Sequence, residues 1–223
     1  MVFDNKNGFF VTLIVSVIVL SSCSGQNHLY FSEEVDLSAE EPTFALLIVE
    51  ADVLKPVFPD HQFGSLRPAE RRLLHENLPQ LINRTARVDV NGFVKEQVLR
   101  ENEFDLRAFQ VRNNTIEMIS PVSGSVLTDG TSNARFVLIL DQFFFTPYDI
   151  EVGGGTYAGH ENRTELRMRL EMNYLIWDNV SKEAAGWGQL NISRRFDAFN
   201  QNSSYVTILQ EALDLIMMST PFS

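Results

Sequence analysis

The chain holds a single cysteine, Cys23, in 223 residues. One thiol cannot close an intrachain disulfide, so burial and not cross-linking must hold the fold. Histidine is nearly as scarce, and His28, His61, His75 and His160 are far apart. His75-Glu76 and His160-Glu161 begin like H-E-x-x-H, but neither has the second histidine that would set two metal ligands on one helix face. No G-x-S-x-G segment is present, so the serine-nucleophile elbow is missing. Gly153-Gly154-Gly155 is not followed by the Lys-Ser/Thr of a phosphate loop. Gly186-Trp187-Gly188 lacks a third glycine and lies in a strand pattern, where a bulge is the better reading. Positive charge is short as well: 18 Lys and Arg face 29 Asp and Glu, for a net charge of −11. Such a surface repels phosphate backbones, so nucleic acid is not an expected partner, and its acidity also argues against lying flat on anionic lipid. Neither a metal nor a dissociable cofactor is expected, and the protein reads as a non-enzyme.

Long apolar runs are also few. The clearest is Phe9 to Leu20, twelve residues, against the roughly 20 that a membrane-crossing helix needs. A short polar segment with Lys6 precedes it, and the small residues Ser21 to Gly25 follow. This is the layout of a secretory signal. Within it, Leu20-Ser-Ser-Cys23 resembles the lipobox of bacterial lipoproteins. The resemblance implies cleavage before Cys23, a diacylglycerol on its thiol and a further acyl chain, such as palmitate, on its amine. One acyl chain holds a protein only marginally at about 0.8 kcal/mol per buried methylene, whereas three hold it firmly. Ser24, a non-acidic residue after the cysteine, implies sorting to the outer membrane. The expected organisation is a signal peptide over 1–22, a lipidated tether over 23–42 and one α+β domain over 43–223.

Past the tether, Thr43 to Leu54 is rich in branched residues and reads as a strand buried on both faces. Ser65 is the expected cap of a helix with Pro68 in its first turn, and Pro79 should kink that helix or start another. A short strand is expected at 86–90, ended by Asn91-Gly92. Segment 93–102 leans to helix, and two short strands should flank Asn113-Asn114. Ala134 to Phe145 carries apolar residues on both faces, the mark of a central strand, with Pro147 expected to end it. Leu166 to Trp177 alternates. Leu166, Met168, Leu170, Met172, Tyr174 and Ile176 form one face; Arg167, Arg169, Glu171 and Asn173 form the other. The polar turn 178–183 and the returning strand complete a long hairpin over about 165–196. Ser203 or Ser204 should cap a last helix with Val206, Leu209, Leu213, Ile216 and Met217 along its apolar stripe. The fold class is therefore α+β, a mixed or antiparallel sheet with a long hairpin, covered by helices that include the C-terminal one.

Asp141, Asp149, Glu151 and Asp178 are carboxylates that strand ends might gather for acid–base or calcium chemistry. Asp178 also suits the hairpin turn. Phe143, Phe144, Phe145, Trp177 and Trp187 are core by default and are the candidate interface aromatics otherwise. The stretch ARFVLILD, the hairpin MNYLIWDNVSKEAAGWG and the final helix resemble periplasmic lipoproteins that share the amino-terminal fold of TolB. Those include the curli-secretion lipoprotein and the lipoprotein activators of penicillin-binding proteins. Segment 91–133 has no counterpart in that pattern, and only the lipidated Cys23 carries over as a functional residue. The expected role is a membrane-anchored envelope lipoprotein that binds another envelope protein. The alternatives are an accessory lipoprotein of a secretion or lipid-transport complex holding an apolar ligand, and an envelope hydrolase.

Overall fold

A computed structural model describes residues 27–37, 42–86, 88–130, 133–153 and 163–223. Its described elements run β1 (His28–Phe31), β2 (Thr43–Ile48), α1 (Ala51–Leu54), α2 (Pro68–Thr85), β3 (Asp89–Phe93), α3 (Gln97–Glu101), β4 (Phe104–Val111), β5 (Asn114–Pro121), β6 (Phe136–Val152), β7 (Arg163–Asp178), β8 (Glu183–Arg195) and α4 (Gln201–Met218). Six strands form one mixed sheet in the order β1-β8-β7-β6-β2-β3. β2 is parallel to both β3 and β6, and the remaining pairs are antiparallel. β4 and β5 form a separate two-stranded hairpin. The α+β architecture with a long hairpin and a covering C-terminal helix is thus present.

The alternation of side chains sorts the sheet into two cores. Phe44, Leu46, Phe136, Leu138, Tyr174 and Ile176 face α2 and α4. Ala45, Leu47, Val137, Ile139, Leu175 and Trp177 face the β4–β5 hairpin with α1 and α3. Strands buried on both sides need unbroken apolar runs, which is why β2 and the first half of β6 have them. Trp177 is fully buried, and its indole N–H donates to the Ser125 carbonyl at 3.2 Å. That bond satisfies the one polar atom of the largest core side chain.

Helix α2 starts one position after Arg67, not at Ser65. Glu70 turns back to accept the Arg67 backbone N–H at 2.8 Å, the reciprocal half of a capping box. The same buried carboxylate accepts the Tyr205 hydroxyl of α4 at 3.0 Å, so one residue both starts α2 and ties it to α4. Pro79 lies inside α2 without dividing it. Leu73, Leu74, Leu78, Leu81 and Ile82 are buried on either side of it, and their packing offsets the one backbone bond lost.

Four further expectations are corrected. Residues 28–31 belong to the domain and not to a free tether: they pair with β8 as an edge strand. β3 runs through Asn91-Gly92, with Gly92 at φ 86°. β6 does not stop at Pro147 but pairs with β7 as far as Val152. β2 flanks β6 only over 136–140, so Pro147 sits where β6 has β7 alone for a partner, and a free edge tolerates a missing N–H. α4 begins at Gln201, before either serine.

Tyr174 is fully buried in the helix-side core. Burial pushes its phenol up to about 12, against an ordinary value near 10. A raised folded-state value means that the neutral phenol is favoured by folding. Its contribution, about 2–3 kcal/mol, is whole below pH 10 and is lost as pH rises through 12. Chemical denaturation at pH 9 and at pH 12 should show this loss, and Tyr174→Phe should remove that part of the alkaline slope.

Candidate functional site

The sheet is not covered along its whole length. The β4–β5 hairpin packs on one face only as far as the bulge in β6, where the register with β7 shifts between Asp141 and Phe144. Beyond it, β6, β7 and the end of β8 continue as a ribbon. α4 lies on one of its faces, with Phe145 and Phe196 against Tyr205. The opposite face is open.

Pairing fixes what stands on that open face. Tyr148 is opposite Arg167, Val152 opposite Arg163, and Arg195 opposite Arg167 on the other side. Four arginines (163, 167, 169 and 195) stand there against two glutamates, Glu165 and Glu171. Arg167 donates to Glu165 at 3.0 Å, and this bond holds its guanidinium above its ordinary value. Arg169 lies 3.4 Å from Glu171 and 5.7 Å from the centre of the Tyr148 ring. The Tyr148 hydroxyl bonds Ser193 of β8. Arg163 and Arg195 are exposed. The acidic Asp149 and Glu151 pair with Leu166 and Thr164 and so point to the other face. In a chain of net charge −11, this is a cationic and aromatic surface.

The bulge at the root of the ribbon is pinned by a buried carboxylate. Asp141 accepts the backbone N–H groups of Ile119 at 2.9 Å and Gln142 at 2.7 Å, and His61 Nε2–H at 3.0 Å. Both side chains are almost wholly buried. Gln142 is left-handed, at φ 50°, and its side-chain oxygen accepts from Asn173 at 3.0 Å. Gly64 lies so close that a Cβ there would stand 2.6 Å from the Phe143 nitrogen. These contacts fasten the 61–65 loop, the hairpin and the ribbon to one point. A His–Asp pair of this kind resembles half a catalytic triad, but sealed from solvent it acts as a fastener.

The anticipated site residues scatter. Cys23 and His160 lie outside the described residues, as do Gly154 and Gly155. Phe143 is buried and Phe145 half-buried in the helix-side core; Phe144 is half-buried and points to the open face. Trp177 is core. Trp187 is half-buried and acts as a joint: Tyr30 stacks on it at 4.4 Å, Phe109 lies at 5.1 Å, and its N–H donates to the Gln110 carbonyl at 3.0 Å. Asp178 begins the β6–β7 pairing opposite Phe136 and is bound by Arg135 at 3.3 Å, whereas Asp141 stands further along opposite Asn173, so the two are not brought together. Among the described residues, no group of three or more His, Cys, Asp or Glu is arranged to hold a metal ion. A groove of about 480 Å³ runs between α1, α3 and the start of β4, over Leu54, Phe58, Leu99 and Phe104. It falls in the size range of small-ligand sites.

No protein-family profile, characterised protein or solved structure matches the chain. The alternation of Arg167, Arg169 and Glu171 marks one polar face of β7 in the sequence; that Tyr148, Arg163 and Arg195 join it does not follow from the sequence, because Pro147 conceals the second half of β6.

Proposed function

We propose that the chain is a cell-envelope lipoprotein, held at the outer membrane by acyl chains on Cys23. It serves without catalysis as a binding or assembly module for another envelope protein. The observation that carries this reading is the lipobox-like Leu20-Ser-Ser-Cys23 after a twelve-residue apolar core. The position of β1 supports it. The domain takes up the chain at Asn27, only four residues past the cysteine, so a short tether would hold a rigid body at the bilayer. The apolar strand at 136–140, the hairpin of β7 and β8 and the covering helix α4 also stand in the order that the likeness to TolB-type lipoproteins implies.

Metabolic labelling with palmitate tests the anchor. Wild type should take up label, and its mature chain should begin at Cys23. Cys23→Ser should remain unprocessed and unlabelled. An unlabelled wild type, or one that begins elsewhere, would overturn the reading.

A further inference from the structure

We propose that the open, arginine-bearing face of the β6–β7–β8 ribbon rests on an anionic lipid surface and fixes how the domain sits on the bilayer. The direction of the strands carries this inference, together with the placement of charge, and its first half rests on the Cys23 anchor.

Asn27 Oδ1 accepts the Asn191 backbone N–H at 3.0 Å, and Asn191 pairs with Glu171. The chain therefore leaves the sheet toward Cys23 at the level of Glu171. Four residues of extended chain span at most about 14 Å. β1 is antiparallel to β8, so it leaves toward the end to which the ribbon extends. From Glu171 to Arg163 the ribbon continues eight residues, roughly 26 Å. The ribbon thus reaches further along that direction than the tether can. A bilayer within tether reach of Asn27 lies alongside the ribbon, not beyond its end.

The turn of the β4–β5 hairpin lies at this same end. Asn114 donates to the His28 ring at 2.6 Å, and Arg112 is exposed in the turn. The hairpin stands on the open side of the sheet at the root of the ribbon, and the bilayer plane is set along the ribbon's face beyond it. Charge selects what that plane is. Arg163, Arg167, Arg169 and Arg195 meet it with Glu165 and Glu171 among them, which leaves the face a net charge of +2, while Asp149 and Glu151 point away. Tyr148, Ile150 and Val152 stand between the arginines as half-buried amphipathic and apolar groups, suited to the headgroup layer. A zwitterionic surface offers such a face little, whereas an anionic one is worth about fivefold in affinity for each net positive charge it meets.

The test uses the full chain with Ile150→Cys carrying an environment-sensitive fluorophore, and Val180→Cys at the far turn as the control position. Each is made in the acylated form and in a Cys23→Ser form that lacks residues 1–22. Vesicles contain either phosphatidylcholine alone or phosphatidylcholine with phosphatidylglycerol. The expected result is a blue shift at position 150 with phosphatidylglycerol only, none at position 180, and loss of the shift in 1 M NaCl. Arg163→Glu with Arg167→Glu should weaken the response of the Cys23→Ser form at least tenfold, with circular dichroism unchanged. A phosphatidylglycerol response in the Cys23→Ser form sustains the lipid face even if palmitate labelling fails. An acylated chain whose position 150 does not distinguish the two vesicles overturns it with the anchor intact. Protection of position 150 in native envelopes but not on vesicles assigns the face to a protein partner and also overturns the proposal.

Discussion

Asp141→Ala should lower the free energy of unfolding by about 3–5 kcal/mol, measured by urea denaturation at neutral pH. The carboxylate is 1 % exposed and accepts from three donors, two of them backbone N–H groups in different elements. Alanine leaves the Ile119 and Gln142 N–H groups and the His61 imidazole without partners. Each orphaned buried donor costs about 1–3 kcal/mol, far more than the net worth of the bond when made. Left-handed Gln142 adds to the loss, because the bond from its N–H to Asp141 helps to hold a non-glycine residue at positive φ in a strand. Asp141→Asn should cost less, about 1–3 kcal/mol, since one acceptor oxygen survives and the new amide N–H₂ faces a donor. Hydrogen exchange should show the damage where the three pieces meet, in the 61–65 loop and at Ile119. A variant that unfolds within 1 kcal/mol of wild type would mean that the fastening lies elsewhere, in the aromatic packing of Phe143 and Phe145.

Much of this frame is legible in the sequence, and the parts that are not share a cause. The doubly buried run of β2, the alternation of β7 and the stripe of α4 each repeat one environment over many residues, so period alone identifies them. The bulge at Asp141 is a single-residue event. Nothing in ARFVLILDQFFF distinguishes an aspartate that ends a strand from one that bends it, because its partners are 80 and 22 positions away. Pro147 misleads for a related reason. Proline forbids a central strand but permits an edge, and β6 changes from one to the other along its length when β2 runs out. The polar face of β7 was legible as polar. That it gathers arginines from β7 and β8 beside Tyr148 of β6 needed the register of three strands.

The mixture of cations and carboxylates on the ribbon also has an electrostatic logic. Glu165 and Glu171 each neutralise a neighbouring arginine and hold its guanidinium in place. Arg163 and Arg195, at the margins, are exposed. A rigid centre with cationic margins orients a surface contact without the self-repulsion of an all-basic patch.

Gly188→Ala is the second large effect, because it acts on the strand that joins the domain to its tether. A Cβ at Gly188 would stand 2.3 Å from the His28 carbonyl oxygen and 2.7 Å from the Tyr174 ring, both far inside contact distance. Gly186 is nearly as tight, at 2.9 Å from the Phe31 ring and 3.0 Å from the Tyr30 carbonyl oxygen. The two glycines let β1 roll inward over β8, so that Phe31 reaches Phe222 at 5.5 Å and Tyr30 covers Trp187. Alanine must displace either β1 or a fully buried tyrosine, and the four-residue edge strand yields first. The expected loss is about 2–4 kcal/mol, the sum of overpacking and of uncovered aromatic surface. Amide protection over 28–31 should disappear, and Trp187 fluorescence should shift red as Tyr30 leaves it. Gly124→Ala is the control: it has φ 92° with open space around it, so it pays only the left-handed cost of about 1–2 kcal/mol and leaves β1 protected. If Gly188→Ala keeps full protection over 28–31, β1 does not depend on these glycines.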